Sequence, residues 1–252
     1  MATADSSFQL MTALVYRADS PADPFPLLAR HFTRLRRAHA ALAEERPDCW
    51  CASRSMPNDD AMLAALQEAV ARVQGEGMKG DLRIRLTVKG DGQPKVEAFP
   101  LAPMPSYPVR LVLDDRPTSY SDPFLRCKTT QRRVYDDARA RHGATLHPSE
   151  DLAGPPFDTV LFNPALEITE TTISNIAFRF DSAKEKPFTT PKADCGLLEG
   201  VMRAELLERG ELVEEVVTLA EVKEAAERGD LEVMCFNAVR GVFPARIQLA
   251  PT

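Results

Sequence analysis

Residues Phe124–Gly143 read FLRCKTTQRRVYDDARARHG. One lysine, Lys128, stands just ahead of a segment with helical character. Cys127 precedes it; Thr129, Thr130, Arg132 and Arg133 follow. A lysine in such a place is by default a solvated surface cation. A reactive one needs an enclosed site that lowers its pKa and partners that hold what it bonds to. Whether Lys128 is the second kind depends on what the chain supplies on either side.

Upstream, FQLMTALVYR predicts a strand, and Asp23-Pro24 predicts a helix start, proline being comfortable in a first turn. Leu28, Phe32, Leu35 and Leu42 share one face of that helix. The NDD run at Asn58–Asp60 predicts a capped second helix with Leu63, Leu66, Val70 and Val73 as its stripe. LRIRLTV alternates: Leu82, Ile84, Leu86 and Val88 face one way, Arg83, Arg85 and Thr87 the other. KVEAF and VRLVL read as further strands. Downstream, DTVLFN and SNIAFRF predict strands and GLLEGVMRAELLERG a helix. TLAEVKEAAERG has Thr218 and Glu221 spaced as a capping box, and LEVMCFNAV and VFPARIQL close the chain as strands. Strands in runs with interspersed helices indicate α+β. Turn formers in APMPSYP and DDRPTSYSDPF divide the chain, giving expected domains at 1–104 and 123–252 with a linker region over 105–122.

The 252 residues suffice for a real core, and 44% hydrophobic with 27% charged residues is ordinary globular composition. A net charge of −6 argues against nucleic acid or an anionic membrane as partner; RLRRAH at Arg34–His39 is a local basic exception. No apolar run is long enough to span a bilayer, and the N-terminus lacks the features of a secretory signal. Five cysteines, an odd number without framework spacing, fit a reducing, cytoplasmic setting. Cys49-Trp50-Cys51 lacks companion ligands at zinc spacing, so no metal is expected.

Three further pieces can be combined with Lys128. EITETTISNIAF sets Glu170 after one short strand and Asn175 before another; glutamate is a poor strand residue. CGLLEGVMRAELL places Gly196 and Gly200 where a helix begins, and free N–H groups at a helix start bind anions. FNAVRGVFPARI sets another glycine-containing turn between apolar strands. Singly, each has a plain structural reading: a turn carboxylate, a helix start, a hairpin.

In the order DPFLRCKTTQRRVYDDAR, ITETTISNIAF, CGLLEGVMRAELL, FNAVRGVFPARI, and with HFTRLRRA in the first half, the chain resembles the fold-type IV, pyridoxal-phosphate-dependent family. That family holds branched-chain and D-amino-acid aminotransferases and aminodeoxychorismate lyases, and the lyases are the nearest match. The resemblance implies two domains, a smaller N-terminal α/β sandwich and a larger C-terminal β-barrel-like domain. It implies pyridoxal 5'-phosphate as cofactor, a small-molecule substrate and a homodimer.

By the same resemblance Lys128 would bond the cofactor and serve as the mobile base. Glu170 would face the pyridine nitrogen, with Glu167 the competing carboxylate; the spacing to Asn175, also assigned to the cofactor site, favours Glu170. Arg34 would anchor the phosphate. Gly200, with the backbone N–H groups of Val201 and Met202, and those of Ala238 and Val239, would supply phosphate donors. Arg85 is either a substrate-carboxylate contact or an exposed strand arginine. The implied reaction converts 4-amino-4-deoxychorismate to 4-aminobenzoate and pyruvate, compatible with folate biosynthesis or with a specialised metabolite; the alternative is a class IV transaminase acting on branched-chain, D- or other amino acids or amines. Cys127, where lyases often carry histidine, and Glu199, where proline is usual, depart from the pattern. Glu199 brings negative charge toward a phosphate site unless it points to solvent.

Overall fold

Strand β1 (Leu10–Tyr16) is buried along most of its length, as the apolar run predicted. The helix expected from Asp23-Pro24 starts later, as α1 (Leu28–Glu45). Pro26 disfavours helical backbone at Phe25, and Leu27 sits in the left-handed region at φ 62°, so the chain turns before the helix opens. His31, Phe32, Leu35, Ala38 and Leu42 form its buried face. Helix α2 (Asp59–Gly75) begins as predicted: Asn58 caps it, accepting from the Ala61 N–H at 2.8 Å. Its stripe is Met62, Leu66, Ala69, Val70 and Val73, with Met62 in the place expected for Leu63. Strands β2 (Leu82–Val88) and β3 (Pro94–Pro100) complete an antiparallel sheet of order β1-β2-β3. In β2 the apolar face is buried throughout; on the other face Arg83 is exposed, Arg85 half-buried and Thr87 buried. This computed structural model describes residues 5, 7–151, 153–180 and 187–249.

The chain divides into two compact units, 1–102 with 126–131, and 103–125 with 132–252. Lys128, expected within 123–252, thus groups with the first unit, and backbone bonding gives the reason. The Met11 N–H donates to Lys128 O at 2.9 Å, and the Thr130 N–H to Gln9 O at 3.0 Å. Gln9 N–H donates in turn to Thr130 Oγ1 at 3.0 Å. The lysine segment is stitched to the edge of β1.

The second unit is built from β4 (Val109–Leu113), α3 (Pro123–Arg126), α4 (Arg133–His142), β5 (Asp158–Phe162), β6 (Ile168–Thr171), β7 (Asn175–Phe180), β8 (Phe188–Pro191), α5 (Val201–Glu208), β9 (Leu212–Glu215), α6 (Leu219–Arg228), β10 (Leu231–Asn237) and β11 (Gly241–Gln248). The stretch 105–122, expected as linker, therefore carries a strand, paired in parallel with β5 and β11. Eight strands run β6-β5-β4-β11-β10-β7-β8-β9. The edge strand β6 also touches β7 and β8, so the sheet curls into a half-barrel. Val109, Leu111, Val160, Ile168, Ile176, Phe178, Val233 and Phe243 pack together as its core. Thr218 and Glu221 form the predicted capping box on α6. Strands β8 and β9 escape the sequence reading because each has only four residues, too few to show a period.

Candidate active site

In the first unit, Thr12 on β1 is fully buried and faces α1. The Arg34 guanidinium donates to Thr12 Oγ1 at 2.7 Å, and the same oxygen lies 2.7 Å from His31 Nδ1. With Thr12 accepting from Arg34, its own hydrogen points at Nδ1, which leaves His31 as the Nε2–H tautomer. Among the described residues, His31 Nε2 and Arg34 Nε are buried without a hydrogen-bond partner. Burial lowers the Arg34 pKa to about 10, so the group stays charged at neutral pH. Burial, Arg34 and Lys128 together hold His31 well below its ordinary value. A half-buried cation with a buried, orphaned N–H fits an anionic group as its missing partner. Arg34 was singled out by the family resemblance of HFTRL, not by the helix pattern. His31 and Thr12 were missed because a buried histidine on an apolar face looks like core.

Lys128 is half-buried. Cys127 beside it packs on Ala38 O, and burial pushes its thiol up to about 11, which makes it a packing group rather than a nucleophile. Arg85 lies 3.6 Å from Glu97 on the neighbouring strand, which matches a strand arginine in a cross-strand pair.

In the second unit, Glu170 lies inside β6 and not after a strand, and it is 3% exposed. Tyr135 Oη donates to Glu170 Oε1 at 2.9 Å, and the Leu198 N–H to the same oxygen at 3.2 Å. Burial, reinforced by the Glu170 charge, raises the Tyr135 pKa well above its ordinary value, so the phenol keeps its proton and is the donor. Glu167 is engaged elsewhere: it accepts from Asn163 Nδ2 at 2.7 Å in the turn before β6. Of the two carboxylates, only Glu170 is buried.

Asn175 opens β7 and donates through Nδ2 to Leu198 O at 2.8 Å, so its amide braces the loop that leads into α5. Gly200 is the N-cap of α5, with no side chain to cap it, and a Cβ there would run into Asn175 Oδ1. The Val201 and Met202 N–H groups open this eight-residue helix. Gly196, at φ 87°, lies under Tyr120, where a Cβ would fall 2.5 Å from the Tyr120 Cβ. Glu199 is exposed, so its charge points to solvent and the objection to an anion at this helix start falls away.

The β10–β11 hairpin turns at Ala238–Arg240. Asn237 Oδ1 accepts from the N–H groups of Val239 at 3.0 Å and Arg240 at 2.8 Å. The Val239 amide, expected as a phosphate donor, is thus already paired within the turn, while Ala238 N–H is not one that Asn237 takes. Elsewhere, Asp114, Asp115 and His142 bring three metal-ligating side chains close together. Arg141 and His142 both bond Asp114, a salt-bridged cluster that needs no ion.

The first unit therefore brings Lys128, Arg34 and His31 together, and the second brings Glu170, Asn175, Gly200 and the α5 start together. Comparison with known proteins shows the family. Residues 12–247 match the family described as Amino-transferase class IV. A Schizosaccharomyces pombe protein named "Putative aminodeoxychorismate lyase" is 30% identical over 198 residues, 78% of each chain. A Mesorhizobium loti structure titled as a "Putative amino-acid aminotransferase" superposes with TM-score 0.75 at 26% identity, covering 96% of this chain and all of that one. The 4-amino-4-deoxychorismate lyase of Pseudomonas aeruginosa shares the fold, with TM-score 0.62 at 24% identity over 95% of this chain and 82% of its own. With nearly its whole length matched, the chain belongs to the class IV aminotransferase family of enzymes.

Proposed function

We propose that the protein is a pyridoxal-phosphate-dependent lyase that converts 4-amino-4-deoxychorismate to 4-aminobenzoate and pyruvate. The observation that carries the cofactor is Arg34, a half-buried cation whose buried Nε has no partner among the described residues, grouped with Lys128 in one unit. Glu170, buried and held by Tyr135 and the Leu198 amide, supports the same reading from the second unit. The S. pombe relative supports the lyase.

Bound pyridoxal phosphate supplies an electron-accepting ring next to the substrate amine. Glu170 would set a negative charge at the ring nitrogen and so would keep a proton there. By the family resemblance, Arg34 of the first unit, and the amides of Val201, Met202 and Ala238 of the second, are the groups that would bond the phosphate. Lys128 takes the proton from the amine-bearing carbon of the substrate. The bond from the ring to the enolpyruvyl oxygen then breaks, the ring becomes aromatic, and the departing enolpyruvate takes up a proton to leave as pyruvate. A cytoplasmic homodimer belongs to the same reading; sedimentation of the purified protein tests the dimer.

A second reading, a transaminase, has the Mesorhizobium similarity in its favour. The two differ in what they need to keep turning over. Supplied with aminodeoxychorismate and no keto acid, a lyase runs many turnovers and releases 4-aminobenzoate and pyruvate in equal amounts. Conversion of the bound cofactor to its amine form by common amino acids, with no pyruvate from aminodeoxychorismate, establishes the transaminase instead. Borohydride reduction and peptide mapping should place the cofactor label on Lys128; a label on another lysine overturns the assignment.

A further inference from the structure

The turn between β6 and β7, Thr172–Ser174, is held at every backbone polar group. The Thr172 N–H donates to Thr159 O at 3.2 Å, and Thr172 O accepts from Arg132 at 2.5 Å. The Ile173 N–H donates to buried Asp158 at 3.3 Å, and the Ser174 N–H to Thr171 Oγ1 at 3.0 Å, while Ser174 O accepts from the Thr171 N–H at 2.8 Å. The remaining group, Ile173 O, accepts from Asn237 Nδ2 at 3.3 Å. The same Nδ2 donates to Ser174 Oγ at 2.9 Å.

One side chain therefore joins two turns. Asn237 Oδ1 takes two amides of the β10–β11 turn, and Nδ2 gives to the β6–β7 turn. The amide's orientation is fixed by its neighbours, since two N–H donors face one end and a carbonyl faces the other. All four of its hydrogen-bonding positions are used. The consequence falls on Ser174, which is 4% exposed. Its oxygen receives the Asn237 N–H, so its own hydrogen is left to donate. On the adjoining turn, Val239 and Arg240 are paired to Asn237, and the Ala238 N–H has no partner among the described residues.

We infer that Asn237 is a positioning residue: it locks the two turns together and presents the Ser174 hydroxyl and the Ala238 N–H as a paired donor set for a phosphate group. This rests on the cofactor reading above and adds to it a hydroxyl donor, Ser174, and the residue that aims it.

The test compares pyridoxal phosphate with pyridoxal, which lacks the phosphate, as ligands of the whole protein. Asn237→Ala and Ser174→Ala are each expected to weaken pyridoxal phosphate binding by about tenfold, the scale of one charge-assisted hydrogen bond, and to leave pyridoxal affinity within about twofold, the scatter expected of uncoupled sites. The double variant should lose no more than Asn237→Ala alone, since Asn237 positions Ser174 as well as the Ala238 turn. Thermal denaturation of each variant reports folding separately. Equal losses for both ligands, additive losses in the double variant, or unchanged cofactor affinity with a raised substrate KM overturn the inference while leaving the cofactor reading intact. A wild-type protein that binds neither ligand overturns the cofactor reading itself, and this inference with it.

Discussion

Tyr135 donates its phenolic hydrogen bond to Glu170 across 2.9 Å in the interior of the second unit. The two residues are 35 positions apart, one on α4 and the other on β6. The contact fixes the carboxylate in an environment that would otherwise disfavour its charge.

Tyr135→Phe removes that donor, whose hydroxyl also bonds Leu125 O at 3.1 Å, and keeps the ring. A lost hydrogen bond to a buried carboxylate should lower unfolding stability by about 1–3 kcal/mol, read by chemical denaturation. Turnover should fall with cofactor affinity nearly unchanged. If the variant is as stable and as active as wild type, the contact does not hold Glu170 in place.

Glu170→Gln and Arg34→Ala should separate two roles. The first neutralises the partner of the ring nitrogen and should reduce kcat on the order of 100-fold with little loss of cofactor. The second removes a phosphate anchor and should weaken cofactor binding by about tenfold or more, with kcat recovering at saturation. Cofactor titration alongside steady-state kinetics checks both, and the same pattern in the two variants would falsify the division.

His31 should make the first unit sensitive to acid. Its folded pKa lies below its ordinary value of 6.5, so the unfolded chain binds the proton more readily than the folded one. Its contribution to stability is complete above 6.5 and declines as pH falls below it. His31→Gln cannot titrate, and its melting temperature should change less between about pH 7 and pH 5, the window set by the ordinary histidine pKa. Parallel curves for wild type and variant contradict a neutral buried His31 beside Arg34 and Lys128.

Gly200→Ala tests the close approach at the α5 start. The backbone there, φ −69° and ψ 145°, suits any residue, so only the contact with Asn175 Oδ1 opposes the methyl group. Overpacking of this kind should cost about 1–3 kcal/mol, with weaker cofactor binding as the loop shifts. Differential scanning calorimetry and cofactor titration measure the two effects; an alanine accepted without change in either shows that the loop yields freely.

Local chemistry determined much of this protein. The alternation of Leu82–Val88 made a strand, the Asn58 cap and the Thr218–Glu221 box set helix starts, and the order of motifs around Lys128, Glu170, Gly200 and Ala238 named the family. These signals are legible because periodicity, capping and motif spacing act over a few residues. Tertiary structure decided what depends on partners far along the chain. Lys128 groups with β1 because its backbone pairs across more than a hundred residues. Arg34 has its bond to Thr12, Glu170 its bond to Tyr135, and Asn237 its bond to Ser174, only where separate strands and helices meet. Val239 was read as a donor because an amide's availability cannot be seen in sequence; it depends on whether a side chain such as Asn237 folds back to take it.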